Sequence, residues 1–536
     1  MKNKLGYIVS GSLTEGFVMR ITDAAHLEEI KAGKFVCIAG DHHTFFSLIT
    51  DLSLAVTHPD ILLFPPNEKE KLLSKVLAKK DIYATASIKP MLMMTKEKRV
   101  LPVKTIPPHF APIFEADKKD IALIFGDEND TKTPYFNIGC PLDMDTPVCI
   151  NLERLTERSN GIFGKTGTGK TFLTRLVLAG LVKQDQAVNL IFDMHSEYGL
   201  QARKEGSHSF VKGLKTLFPS KVALFSLDPQ STRRRGATPD VEISLPYSAV
   251  HVEDILALQE ELNLHSTAVE AAHLIAARFK HDWLAVLFSQ GERLKDFAAE
   301  IGGHPESIAA LYRKLKRIER FPFFRNTAAG SNFKEGSSID QLIEYLSKGI
   351  SVIIEFGNFT STLCYLLLAN MITRRIHAEY IEKTEKFLAS QRPEDEPKKL
   401  MITIEEAHKF LNPHAARQTI FGTIAREMRK YYVSLLVVDQ RPSGIDPEII
   451  SQIGTKIIAQ LNDEKDIQAV LTGISNAHHL RGILASLDTK KQAMIVGHAV
   501  AMPVVVQTRE YDEAFYRAMA PKVSVKQIDT LIQELF

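Results

Sequence analysis

Two stretches of this sequence combine residue types that handle phosphates. The first is Asn160-Gly-Ile-Phe-Gly164-Lys-Thr-Gly-Thr-Gly169-Lys170-Thr171-Phe172, a glycine-rich turn between an apolar strand pattern and an amphipathic helix. Phosphates need many N–H donors at close range, and glycines at 164, 167 and 169 let the backbone curl around them without Cβ clashes. The helix beginning at Lys170 adds its positive dipole end, Lys170 neutralises the β- and γ-phosphates, and the Thr171 hydroxyl ligates Mg2+. Gly164, Lys165, Thr166, Gly167, Thr168, Gly169, Lys170, Thr171 and Phe172 are therefore the expected binding span for MgATP.

The second stretch is Leu400-Met-Ile-Thr-Ile-Glu405-Glu406-Ala-His408, an apolar strand ending in two carboxylates. Glu405 is expected to support Mg2+ through water, and Glu406 to orient and deprotonate the attacking water. Adjacent glutamates are common on surfaces; their place at the end of a buried strand in a chain with a phosphate loop is what singles these out. The next strand ends in Asp439-Gln440, and Gln440, carrying both a donor and an acceptor, suits a sensor of the γ-phosphate. Asp193-Met-His195-Ser196-Glu197-Tyr198 follows an earlier strand in the same way, with His195 and Glu197 read as ordinary loop residues.

Arg158 precedes the phosphate-loop strand, which from Ser159 to Gly164 spans roughly 20 Å at about 3.3 Å per residue. Its side chain cannot cover that distance to its own phosphates. It either serves a site across a subunit interface or forms a surface salt bridge. Arg426 and Arg429, on Ala425–Tyr431, are weaker alternatives because either can pair with a nearby acid.

The elements that must carry these groups follow from periodicity. From Leu5 to about Thr146 short alternating strands, ending with Asp120–Gly126 (DIALIFG), predict a small β-barrel or sandwich, with Asp127–Asp130 as the start of the exit. From about Pro147, apolar strands alternate with helices, predicting a parallel-rich sheet covered on both faces. Its strands are expected near Gly161–Gly164, Ala187–Asp193, Val222–Leu227, Ile350–Phe356, Leu400–Glu405, Val433–Val438 and Lys456–Leu461. Helical sequence interrupts that pattern at 251–346. The expected division is a barrel at 1–146, an α/β ATPase core at 147–250 and 347–536, and a helical insertion at 251–346.

The bulk numbers narrow the class. The chain has 536 residues, 45% of them hydrophobic and 24% charged, which fits a soluble protein of several domains. Its apolar runs stop well short of the ~20 residues that span a bilayer, and its start does not read as a signal peptide, so a cytoplasmic location without a membrane span is expected. Cys37, Cys140, Cys149 and Cys364 show no metal-ligand spacing. A net charge of +2 is too mild to announce nucleic-acid binding. The clusters Arg233–Arg235 and Arg313–Arg320 read as a solvated loop and a charged helix face.

Taken in order, the motifs resemble the HerA family within the FtsK/HerA branch of P-loop motors. The resemblance rests on the N-terminal barrel, GKTGTGKT, DMHSEY, IEEAH, AREMRKY and DQRPSGIDPEIISQIGTKI. It implies a RecA-like P-loop ATPase core with a HAS-type barrel, and a homo-hexamer that hydrolyses ATP with Mg2+ to move duplex DNA through its pore. It also implies a partner nuclease of the NurA type, or a sirtuin-like or other effector, in DNA end processing or antiphage defence. An Arg before the phosphate loop in relatives resembles a trans-acting finger, which favours Arg158. Three positions depart from the family pattern: Ser196 for Gly, Glu405 for Asp, and Gln460 where many relatives carry Arg. Two other classes stay open, a secretion or conjugation motor and an ATP-stabilised scaffold for an effector enzyme.

Overall fold

Alternation of buried and open positions makes the N-terminal strands two-faced, and such strands bury their apolar side by closing on themselves. In the computed structural model, which describes residues 3–22, 24–58, 60, 82–142, 144–203, 210–325, 338–474, 477–488 and 491–520, they do so. Gly16–Ile21, Lys4–Ser12, Pro112–Glu115, Phe35–Ala39, Thr44–Val56 and Ile82–Met94 pair in that order, and the last returns to the first. Val100–Pro102 adds a seventh strand beside Ile82–Met94. Met19, Ile38, Ile49 and Ile113 fill the interior with no exposed surface.

Asp120–Gly126 is not a strand. Lys118–Phe125 is a helix whose start is fixed by a capping box: Asp117 accepts from the Lys119 and Asp120 N–H groups, and Asp120 accepts from the Asp117 N–H at 2.8 Å. Ile121, Ile124 and Phe125 then fall on one buried face at helical spacing.

The chain divides into two units, one holding residues 1–170, 439–443 and 450–509, the other 171–438, 444–449 and 510–536. Besides the barrel, the first unit contains Asn160–Phe163, Thr455–Ile458, Gln492–Gly497, Val504–Thr508, Tyr135–Pro141 and Val148–Asn151, paired in that order. The first pair is parallel and the rest antiparallel. The strands at 492–497 and 504–508 are additions to those the periodicity picked out, because short apolar runs do not distinguish a strand from a buried helix segment. Tyr135–Pro141, although it precedes residue 146, pairs with Val504–Thr508.

Among the described residues, one sheet of the second unit has six parallel strands: Val241–Glu242, Val222–Ser226, Ser351–Glu355, Val188–Asp193, Leu400–Glu405 and, as far as Val438, Val433–Asp439. Except for the two-residue edge strand they are buried along their whole length, as parallel strands covered on both faces require. Parallel register brings their carboxyl ends to one edge, with Asp193 opposite Glu355 and Glu355 opposite Ser226. The sequence after Val252 folds into helices that include Ser266–Phe279 and Pro305–Glu319, while 326–337 of the expected insertion lie outside the described residues. Arg374, on the 29-residue helix Thr362–Ser390, ties these helices in through Asp254 at 2.9 Å. Among the described residues no helix is long and apolar enough to cross a membrane.

Candidate nucleotide site

The strand Asn160–Phe163 delivers its chain directly into the glycine turn. Gly167 and Gly169 have φ of 81° and 89°, left-handed values that an L side chain adopts only with strain, although a Cβ at either place would meet nothing within 4 Å. Conformation, not space, demands glycine there. The turn is held from below by hydrogen bonds from Gly164 N to Asp439 O at 3.3 Å and from Lys165 N to Gln460 O at 3.1 Å. Lys170 folds back so that its Nζ donates to Lys165 O at 2.9 Å, and Thr168 Oγ1 donates to the same carbonyl at 2.8 Å. The Thr166 hydroxyl donates to Gln440 Oε1 at 2.7 Å. The structure thus joins Gln440 to the loop.

Arg158 stands at the opposite end of this strand. It is exposed, and its aliphatic stem lies against Gly454, where an added Cβ would come within 2.6 Å of it. Arg429 is also exposed, on a short 3-10 turn, Met428–Tyr431, that follows the helix Ile420–Glu427. Arg426 is engaged by Glu448 at 3.5 Å. Arg235, from one of the basic clusters, is bound at both nitrogens by the fully buried Glu355, at 3.1 and 2.6 Å.

In the second unit the helix Lys170–Lys183 continues from Thr171, and Phe172 packs its ring near Arg175 and Tyr511. The Thr171 hydroxyl donates to Glu197 Oε2 at 2.9 Å. Tyr198 donates its phenol hydrogen to Glu405 Oε1 at 2.6 Å, while Glu405 Oε2 is buried without a hydrogen-bond partner among the described residues. Burial pushes the Glu405 carboxyl up to about 8 against the Tyr198 hydrogen bond, which favours the ionised form; Asp193, Glu197 and Glu406 add like-charge repulsion. Asp193, fully buried, is raised to about 7 for the same first reason, although its carboxylate accepts from the N–H groups of Glu197, Tyr198 and Gly199. Glu406 is half-buried with φ of 50° and lies 3.7 Å from His408 Nε2. A left-handed non-glycine residue at a strand end is the kind of backbone strain that accumulates at functional sites.

Glu197 differs from the ordinary loop reading, and Tyr198, given no role from the sequence, holds Glu405. The available signal was their fixed spacing after a buried strand aspartate, which hydrogen-bonds N–H groups four to six residues on.

Comparison with known proteins bears on the same segments. The family description "HAS barrel domain" matches residues 5–105, and "Helicase HerA, central domain" matches residues 136–376, which include the phosphate loop and the Asp193–Tyr198 segment. The chain is 24% identical over 530 residues to the DNA double-strand break repair helicase HerA of Sulfurisphaera tokodaii, covering 95% of this chain and 93% of that one. The chain belongs to the HerA family. Its Saccharolobus solfataricus relative of the same description is 24% identical over 515 residues, covering 94% of this chain and 91% of that protein. Among solved structures, this HerA-family chain is similar to the bacterial conjugative coupling protein TrwB, with a TM-score of 0.47 and 10% identity over 74% of this chain and 93% of that one. HerA-family membership and the strand, turn and helix around Gly164–Thr171 make this chain a nucleotide-binding P-loop ATPase.

Proposed function

We propose that this HerA-family ATPase is one subunit of a homo-hexameric, cytoplasmic ring that uses ATP hydrolysis to drive duplex DNA through its central pore. The observation that carries the reading is the glycine turn running through Lys170 into Thr171, in a chain whose strand Leu400–Glu405 ends in a buried acid, one oxygen of which meets no partner among the described residues. The names of the relatives, DNA double-strand break repair helicases, support DNA as the track. The proposed division gives 1–146, apart from Tyr135–Pro141, which pairs with Val504–Thr508, to the barrel for assembly or docking, 147–250 with 347–536 to ATP chemistry, and 251–346 to an insertion. The docked partner is a NurA-like nuclease or a sirtuin-like effector, acting in end processing or antiphage defence.

In this reading the span 164–172 holds the phosphates through the N–H groups of Thr166, Gly167 and Gly169 and through Lys170, with Phe172 closing the span. Thr171 and Glu405 would hold Mg2+, and the fit rests on the buried Glu405 Oε2, which meets no hydrogen-bond partner among the described residues. The cation would supply charge neutralisation to the phosphates. Glu406 takes the proton of the attacking water, and Gln440, already hydrogen-bonded to Thr166, reports loss of the γ-phosphate to the loop. Duplex DNA should raise the steady-state ATPase rate several-fold. A rate indifferent to DNA would mean a scaffold, and stimulation that is only marginal would favour a secretion or conjugation motor.

Arg158 acts on the ATP of a neighbouring subunit, and Arg429 is the alternative. Arg158→Ala and Glu406→Gln chains should each be inactive alone, while mixed rings regain ATPase wherever an intact Arg158 faces an intact Glu406. Absence of recovery in rings verified to contain both chains would exclude the trans role.

A further inference from the structure

The segment after Val188–Asp193 is built to hold one side chain still. Glu197 is fixed at its N–H by Asp193 Oδ1 at 2.8 Å and at its carbonyl by Arg175, whose Nε donates at 3.0 Å and whose Nη2 donates as well. Arg175 is itself 2% exposed and lies over the Phe172 ring at 5.3 Å. Ser196, just before, takes the left-handed φ of 56° that the turn requires. A solvated loop glutamate needs none of this. The restraint ends on the contact of Glu197 Oε2 with the Thr171 hydroxyl at 2.9 Å.

A hydroxyl has one hydrogen and two lone pairs. If the hydrogen is held by a carboxylate, the lone pairs are presented in a fixed direction and can ligate a cation; a rotating hydroxyl offers them only part of the time. The strand glutamate Glu405, to which the sequence pattern gave the metal-supporting role, is bonded by Tyr198, and its second oxygen meets no partner among the described residues. We propose that Glu197 is the positioning residue that orients the Thr171 hydroxyl for the divalent cation bound with nucleotide. This rests on the nucleotide-site reading above.

The test uses the full chain and a fluorescent ADP analogue, titrated in EDTA and then with increasing Mg2+. Glu197→Ala and Glu197→Gln should bind the analogue in EDTA within about two-fold of the wild type, because the loop N–H groups and Lys170 act there. The Mg2+ concentration giving half of the metal-dependent tightening should rise about ten-fold in Glu197→Ala and about three-fold in Glu197→Gln, the neutral amide being the weaker acceptor. Thr171→Ala should remove most of the tightening and make the Glu197→Ala effect vanish in the double variant. An unchanged Mg2+ requirement in both Glu197 variants would overturn the proposal. So would an equal loss of binding in EDTA and in Mg2+ by Glu197→Gln, which marks a merely structural role. Wild-type chain that binds no analogue in either buffer would instead overturn the nucleotide-site reading itself.

Discussion

Lys170→Ala is expected to remove ATP turnover, with kcat falling by about three orders of magnitude and nucleotide binding weakened in parallel. Lys170 is the cation of the glycine turn, and its Nζ sits 2.9 Å from the Lys165 carbonyl, already drawn over the loop. Without it the loop N–H groups remain, so weak nucleotide binding persists, but the charge that grows on the transferred phosphoryl group loses its compact counter-ion. A steady-state phosphate-release assay with an equilibrium nucleotide titration checks both parts. Hydrolysis at near wild-type rate would remove the loop from the chemistry.

Glu406→Gln separates binding from cleavage. The amide keeps the shape of the side chain and most of its hydrogen bonding but cannot accept a proton, so turnover should fall by about 10²- to 10⁴-fold while ATP stays bound. Glu406 holds φ of 50°, and the amide places no new demand on that backbone. The measurement is retention of uncleaved ATP on the variant alongside its rate. Fast cleavage by Glu406→Gln would move the base to another residue, Glu197 being the next to try because its carboxylate lies on Thr171.

The chemistry legible in the linear sequence was that encoded by neighbours. The turn from Gly164 to Thr171 is eight consecutive residues whose glycines answer to local φ requirements, so its form is written in the chain itself. The same holds for Leu400–Glu405, a short apolar run that ends in two acids, and for the alternating strands of the barrel. Local reading failed where two conformations satisfy the same apolar residues. Ile121, Ile124 and Phe125 serve a helix once Asp117 and Asp120 close a capping box, and those caps outweigh a strand-like run.

Other features depend on residues far apart in the chain. Thr171 meets Glu197 across 26 residues, and Tyr198 meets Glu405 across 207. Those pairings arise because parallel strands bring their carboxyl ends to one edge, where the loop after Asp193 is folded by that buried carboxylate onto its neighbours. Strand order and register are set by packing of whole elements, and a one-residue slip would turn each side chain to the other face. Sequence alone therefore determined that this chain has a phosphate loop, a strand with terminal acids and a barrel. Only tertiary structure decided that Glu197 holds the Thr171 hydroxyl, that Tyr198 holds Glu405, and that Arg235 is bound by Glu355, since each contact exists only once the strands are side by side.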